Sequence, residues 1–280
     1  MSTSITNPLA KHFRQPSIYL RLPSGGKFYP AGSLELSATG DFPVYPMTIK
    51  DEISFKTPDA LMNGQGMADV IVSCCPNIKN PWAIPVIDLD PILIAIRIAS
   101  YGPGMDIISD CPKCKEVNEN TIDLRVVLDS AVAFNEDKQT TKINNLTFSF
   151  KPQTYKDLNN SQQLMFEQQK IISLISDSTL PDEEKQIRFN DSFNKLTGMN
   201  IDTLVVCINS IITDEEIKVV DPILIKDFLS NTDRKTYETI KNHIEEFVTS
   251  NAMEPVDITC SECDYVYKTK LEFNQSNFFD

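Results

Sequence analysis

Cys111-Pro-Lys-Cys114 and Cys260-Ser-Glu-Cys263 are two Cys-x-x-Cys knuckles set far apart in one chain, and their reading decides the fold. Two thiolates two residues apart sit on a tight turn that aims both sulfurs at one tetrahedral ion, and two such pairs complete a four-sulfur site. The flanks are related as well. Each knuckle has a valine three residues beyond its second cysteine (Val117, Val266), then an apolar-acidic-apolar triplet (Ile122-Asp-Leu, Leu271-Glu-Phe). In the second copy Tyr265, Tyr267, Leu271 and Phe273 fall on one side of a strand and Val266, Lys268, Lys270 and Glu272 on the other. Two matched knuckle-plus-strand units facing across a metal make a zinc ribbon, so the pattern predicts one structural zinc held by Cys111, Cys114, Cys260 and Cys263. A redox dithiol would use a single Cys-x-x-Cys at a helix start in a βαβ pattern. Catalytic zinc is disfavoured because four thiolates leave no open position for water or substrate.

Working outward, the ribbon is discontinuous (residues 106–125 and 256–275), and the chain between its halves, 126–255, is an insertion. Asn144-Asn145 separates two β-type runs there and predicts a hairpin. From 153 to 251 the pattern reads as helices over 154–177, 181–197, 201–212, 222–229 and 233–250, with Gly198 ending the second and Asp221-Pro222 opening the fourth. In the last, Tyr237, Ile240, Ile244 and Phe247 recur at helical spacing. The acidic clusters Asp182-Glu-Glu and Asp214-Glu-Glu are expected at helix N-termini, where they favour the dipole.

Before the ribbon, residues 17–105 read as a small β-rich unit followed by helices. Ile18-Tyr-Leu-Arg-Leu, Ser33-Leu-Glu-Leu-Ser and Val44-Tyr-Pro-Met-Thr are strand-like; Thr57-Pro58-Asp59 opens a helical segment running towards Cys75. Asp90-Pro91 predicts the start of a nearly all-round buried helix that Gly102-Pro-Gly stops. Residues 1–16 read as an extended arm, proline-bounded, in which Leu9, Lys11, Phe13 and Arg14 are candidate partner-binding residues. The fold class is therefore α+β.

Composition narrows the function. The 280 residues are 41% apolar, enough for a sizeable core, and no run is long and uncharged enough to span a membrane. With no signal-peptide pattern, a soluble cytoplasmic product with reduced thiols is expected. A net charge of −13 repels nucleic acid, although residues 1–50 carry five basic side chains against Glu35 and Asp41. The two histidines, His12 and His243, have no nucleophile near them in sequence. Asn63-Gly-Gln-Gly has too few glycines to cradle phosphate, and Cys74, Cys75 and Cys207 lie in apolar stretches as core residues.

Several motifs in one order carry a resemblance: Tyr19-Leu-Arg-Leu-Pro-Ser-Gly-Gly-Lys-Phe-Tyr, Tyr45-Pro-Met-Thr-Ile-Lys-Asp-Glu, Thr57-Pro-Asp-Ala-Leu-Met-Asn-Gly, Ser73-Cys-Cys-Pro-Asn-Ile-Lys-Asn-Pro, Ala95-Ile-Arg-Ile-Ala-Ser-Tyr-Gly and Cys111-Pro-Lys-Cys. Together they resemble the baseplate hub family of T-even-type contractile-tail bacteriophages, over about residues 7–125 and the second knuckle. The resemblance implies a non-enzymatic hub component or hub-assembly protein. Such a protein meets other phage tail or hub proteins, in the host cytoplasm during assembly or in the virion tail, and uses no nucleic acid, membrane or small-molecule substrate. A zinc-ribbon nucleic-acid factor is the alternative. Against it, Lys113, Lys115, Lys268 and Lys270 are offset by Asp110, Glu116, Glu119, Asp264 and Glu272, so no basic stripe forms. A metal-dependent hydrolase lacks histidine ligands and an open site.

Overall fold

The computed structural model describes residues 7–55, 64–131, 133–177 and 181–271. The first six residues of the arm, the helix opening at Thr57-Pro58-Asp59, and Glu272 and Phe273 of the second ribbon strand lie outside them. The chain is α+β, built on two hydrophobic cores.

The first core gathers residues from the stretch up to Val127, Tyr155 from the start of the inserted unit, and residues from the end of the described chain. Strands β1 (Ile18–Arg21) and β2 (Asp41–Val44) pair antiparallel and turn Leu20, Phe42 and Val44 inward. The strand expected at Ser33–Ser37 is reduced to one bridge, Leu34 to Ile78. Helices α1 (Ile49–Phe55), α2 (Gln65–Cys74), α3 (Val86–Tyr101) and, after the first ribbon hairpin, α4 (Leu124–Asp129) follow. Helix α3 is buried almost all round, as its sequence predicts, and ends at Gly102, whose φ of 90° suits glycine. Its start differs from the Asp90-Pro91 expectation. The helix begins at Val86, whose N–H donates to Gln153 O (2.9 Å), and Pro91 lies inside it. Proline forfeits one helical bond there, a loss that the burial of Leu89 and Ile92 to Ile96 on the same helix outweighs.

A carboxylate near the start of α3 ties it to the Pro23-Ser-Gly-Gly turn. Asp88, fully buried, accepts Ser24 N–H (2.9 Å) and Ser24 Oγ–H (2.5 Å). Burial pushes its carboxyl up from the ordinary value to about 6, against the opposing pull of those bonds. A raised carboxyl binds its proton more tightly folded than unfolded. Its contribution is therefore complete below the unfolded value and lost as pH rises through about 6. Urea midpoints of the wild type should fall relative to Asp88→Asn between about pH 4 and about pH 6; a constant offset would refute this. Asp90, raised by burial to about 6, leaves some slope in both proteins.

The second core is assembled by the insertion. β5 (Thr140–Ile143) and β6 (Leu146–Phe150) form the expected hairpin, turned at Asn144 with φ 54°, a backbone that asparagine tolerates. Helices α5 (Tyr155–Asp177) and α6 (Asp182–Cys207) pair, then β7 (Ile208–Ile212) and β8 (Lys218–Val219) return to complete a sheet of order β5-β6-β7-β8. Three expectations are corrected here. Gly198 does not end α6, because one glycine costs a helix interior only about 1 kcal/mol. The helix expected over 201–212 is half strand, since Ile208 and Ile211 are buried beside Phe148 and Phe150. Asp214-Glu-Glu lies in the β7–β8 turn rather than at a helix start. Helices α7 (Pro222–Asn231, capped by Asp221) and α8 (Arg234–Ser250, capped by Asp233) close this core with Ile225, Leu229, Ile240, Ile244 and Phe247.

The two units meet in two places: at the start of α5, where Tyr155 N–H donates to Ile84 O (2.7 Å) and its ring stacks on Trp82 (5.0 Å), and around Phe134. Phe134 N–H donates to Pro23 O (2.9 Å), its ring packs edge-on against Phe28 (5.1 Å) and Phe247 (5.9 Å), and Lys27 pairs with Glu136.

Candidate metal centre

Each knuckle is the tip of an antiparallel hairpin. β3 (Gly104–Asp110) pairs with β4 (Val117–Asp123), with Asp110 opposite Val117; β9 (Val256–Thr259) pairs with β10 (Val266–Thr269), with Thr259 opposite Val266. The tips are the same turn built twice. Cys111 N–H donates to Glu116 O (2.8 Å) and Lys115 N–H to Cys111 O (2.9 Å); in the second copy Cys260 N–H donates to Tyr265 O (3.0 Å) and Asp264 N–H to Cys260 O (3.1 Å). The residue after each second cysteine is left-handed, Lys115 at φ 65° and Asp264 at φ 53°. For a non-glycine residue that backbone costs about 1–2 kcal/mol, so both hairpins carry the same strained turn at the same place.

The turns bring the four expected ligands together. All four sulfurs lie within 4.8 Å of one another, with Cys111 to Cys263 at 3.8 Å and Cys114 to Cys260 at 3.5 Å. Bonds of about 2.3 Å to a tetrahedral ion place neighbouring sulfurs about 3.8 Å apart, so the cluster is compatible with one bound metal ion. Cys111 and Cys260 are fully buried and belong to the first core, together with Ile107, Ile122, Ile258 and Tyr267. Cys263 is half-buried and Cys114 exposed.

The thiols are polarised unequally. At Cys111 and Cys260 burial raises the thiol, but two backbone N–H groups on each sulfur win (Lys113 and Cys114; Glu262 and Cys263) and hold both below the ordinary value, Cys260 at about 6. At Cys114 the N–H of Glu116 lowers the thiol, yet burial and the neighbouring sulfurs push it up to about 12; at Cys263 the N–H of Tyr265 is outweighed in the same way. Backbone donors thus hold one thiol of each knuckle, Cys111 and Cys260, below its ordinary value, while the other of each pair is raised. Four soft sulfurs suit zinc or iron, and an ion bound by all four would have no coordination position left open.

Side chains that sequence reasoning passed over lock the hairpins together. Asn118, buried on β4, accepts Ser261 N–H (2.8 Å) and Ser261 Oγ–H (3.0 Å), and its Nδ2 donates to Glu116 O (3.0 Å) and reaches Cys260 Sγ (3.6 Å). Ser109, directly opposite Asn118 in the β3–β4 pair, meets the Tyr267 hydroxyl at 2.7 Å. The available signal was an asparagine at the inward position that the second copy fills with Tyr267. Asn118→Ala should lower metal affinity about 10- to 100-fold, the usual cost of losing a group that orients a ligand. Chelator competition would check this, and an unchanged transfer curve would refute it.

The arm is divided. Leu9, Lys11 and Phe13 are exposed beside a single 3-10 turn, Ala10–His12. Arg14, expected to face a partner, is instead held by the chain itself. Its guanidinium donates to Pro46 O, to Ser73 O and Oγ (2.8 Å each) and to Asp51 (3.3 Å), and lies 5.9 Å from the Tyr45 ring centroid. Cys74, Cys75 and Cys207 are buried, as predicted, and burial raises all three thiols. His12 is exposed and His243 half-buried.

A family model described as T4 bacteriophage base plate protein matches residues 16–280, which takes in both knuckles and the whole insertion. The chain belongs to this family. A baseplate protein works through contacts with other phage tail proteins. Neither a curated protein nor a solved structure matches this baseplate protein. Among its described residues, no helix is long and apolar enough to cross a membrane.

Proposed function

We propose that this baseplate protein is a non-enzymatic hub component or hub-assembly protein, with one structural zinc ion held by Cys111, Cys114, Cys260 and Cys263. One observation carries the reading. The sulfurs join two hairpins that are distant in sequence but interlocked in space, so the ion clamps the base of the inserted unit and leaves that unit's surface for partners. Zinc fits better than a catalytic metal because all four coordination positions are filled by thiolates. The outer side of the β3–β4 hairpin carries Asp106, Asp110 and Glu119, which speaks against the nucleic-acid alternative. The protein is made in the host cytoplasm and acts at the tail baseplate.

Contacts with hub partners are assigned first to the arm, where Leu9 and Phe13 gain by burial and Lys11 adds positive charge. Arg14 fixes the base of that arm. Deleting residues 2–13 while keeping Arg14 should leave the melting temperature unchanged and abolish hub incorporation in a reconstitution with the other hub proteins of the same phage. Arg14→Ala should instead lower the melting temperature, because Asp51 and the Ser73 carbonyl lose a charged partner. Normal hub assembly by the truncated protein would overturn the docking role.

A further inference from the structure

The geometry points to a second docking surface, at the open edge of the four-stranded sheet, for an extended segment of another tail protein whose apolar side chains are flanked by lysine or arginine. This deepens the proposed function and depends on it only for the partner being a tail protein.

Strand β8 is the last in the order β5-β6-β7-β8, pairing with β7 through Ile211 to Val219 and Ile212 to Lys218. Beside it stand four apolar side chains with large exposure: Ile217 (55%), Val220 (58%), Ile223 (76%) and Leu224 (56%). Single exposed apolar residues are ordinary, but four within one strand end and the adjoining helix start make a patch of the kind that marks interaction sites. Helix α7 needs neither Ile223 nor Leu224 for its own packing, which Ile225 and Leu229 supply from the buried side. An edge strand flanked by such residues accepts an added strand, whose main chain pairs with the edge while its alternate side chains meet the apolar positions.

Charge selects the occupant. Asp214, Glu215, Glu216 and Asp221 lie next to these residues in sequence, all exposed, and the first three make no ion pair among the described residues. Lys218 is the one base between residues 213 and 225, and the next, Lys226, is paired with Asp202 at 2.5 Å. Acidic residues next to an apolar patch attract a basic-flanked apolar segment and repel an acidic one. The chain's own arm has related chemistry in Leu9, Lys11 and Phe13, so contact between copies is the competing occupant.

The test uses the full-length protein and overlapping synthetic peptides covering the other tail proteins of the same phage, with binding read by fluorescence polarisation. Salt at about 0.05 and about 0.5 M straddles the range in which exposed charges become screened. At least one peptide with apolar residues flanked by Lys or Arg should bind, and more weakly at high salt. Ile223→Ser/Leu224→Ser and, separately, Glu215→Lys/Glu216→Lys should each weaken it at least about tenfold with unchanged melting temperatures. Three results overturn the proposal: no peptide of this class binds, binding is indifferent to both variants, or the patch variants abolish only self-association in sedimentation. Binding of a peptide from a tail protein outside the hub would support this surface while refuting the hub assignment. Normal hub incorporation of both variants with no peptide bound would do the reverse.

Discussion

Cys260→Ser is expected to empty the metal centre and lower the melting temperature by on the order of 10 °C, because binding at such a site is coupled to folding. Cys260 is fully buried in the first core, accepts N–H bonds from Glu262 and Cys263, and faces Asn118 and Cys114 from the opposite hairpin. Its loss removes a ligand and leaves those donors without their anion. Because the second knuckle closes a chain that left the first at Cys114, the β9–β10 hairpin should detach while the second core keeps its own packing. Hydrogen exchange should show protection lost at Val256–Thr259 and Val266–Thr269 and retained in β6 and β7. An unchanged melting temperature with zinc still bound would refute the coupling.

Phe247→Ala should have a comparable effect on the other unit. Phe247 is fully buried on α8 and contacts the rings of Phe150 (6.2 Å) and Phe134 (5.9 Å). Truncating such a phenylalanine costs about 3–5 kcal/mol through lost burial and the cavity left behind. The insertion should therefore unfold first, in a transition separate from that of the metal-bound core, and bound metal should be retained through it. Since Phe134 also leans on Phe28 and the Pro23 carbonyl, some loss should reach the first core. A single two-state transition that releases the metal at the same midpoint would show that the cores do not melt independently.

The gathering of the four cysteines was legible in the sequence because its signal is local. Two residues between cysteines fix a turn, and the repeated flanks announce two copies of one unit. The Asn144-Asn145 hairpin and the Asp221-Pro222 helix start were legible for the same reason. What the sequence hid depends on tertiary company. Leu204-Val-Val-Cys-Ile-Asn-Ser-Ile-Ile reads equally well as buried helix or buried strand, and only the edge offered by β6 makes Ile208–Ile212 a strand. Pro91 inside α3 violates a local rule because the helix start is set from outside, by Gln153 O and by Asp88 on Ser24. Arg14 and Asn118 act on residues far along the chain (Ser73 and Ser261), separations over which no spacing rule operates. The exposed patch around β8 was likewise hidden, since Ile223 and Leu224 look like core residues until α7 is seen to bury Ile225 and Leu229 instead.

X-ray absorption at the zinc edge, with elemental analysis of the purified untagged protein, tests the central claim most directly. A structural zinc clamp predicts one zinc per chain surrounded by four sulfurs at about 2.3 Å, and no nitrogen or oxygen neighbour. Much less than one zinc per chain, iron in its place, or a mixed shell with an oxygen ligand would contradict it.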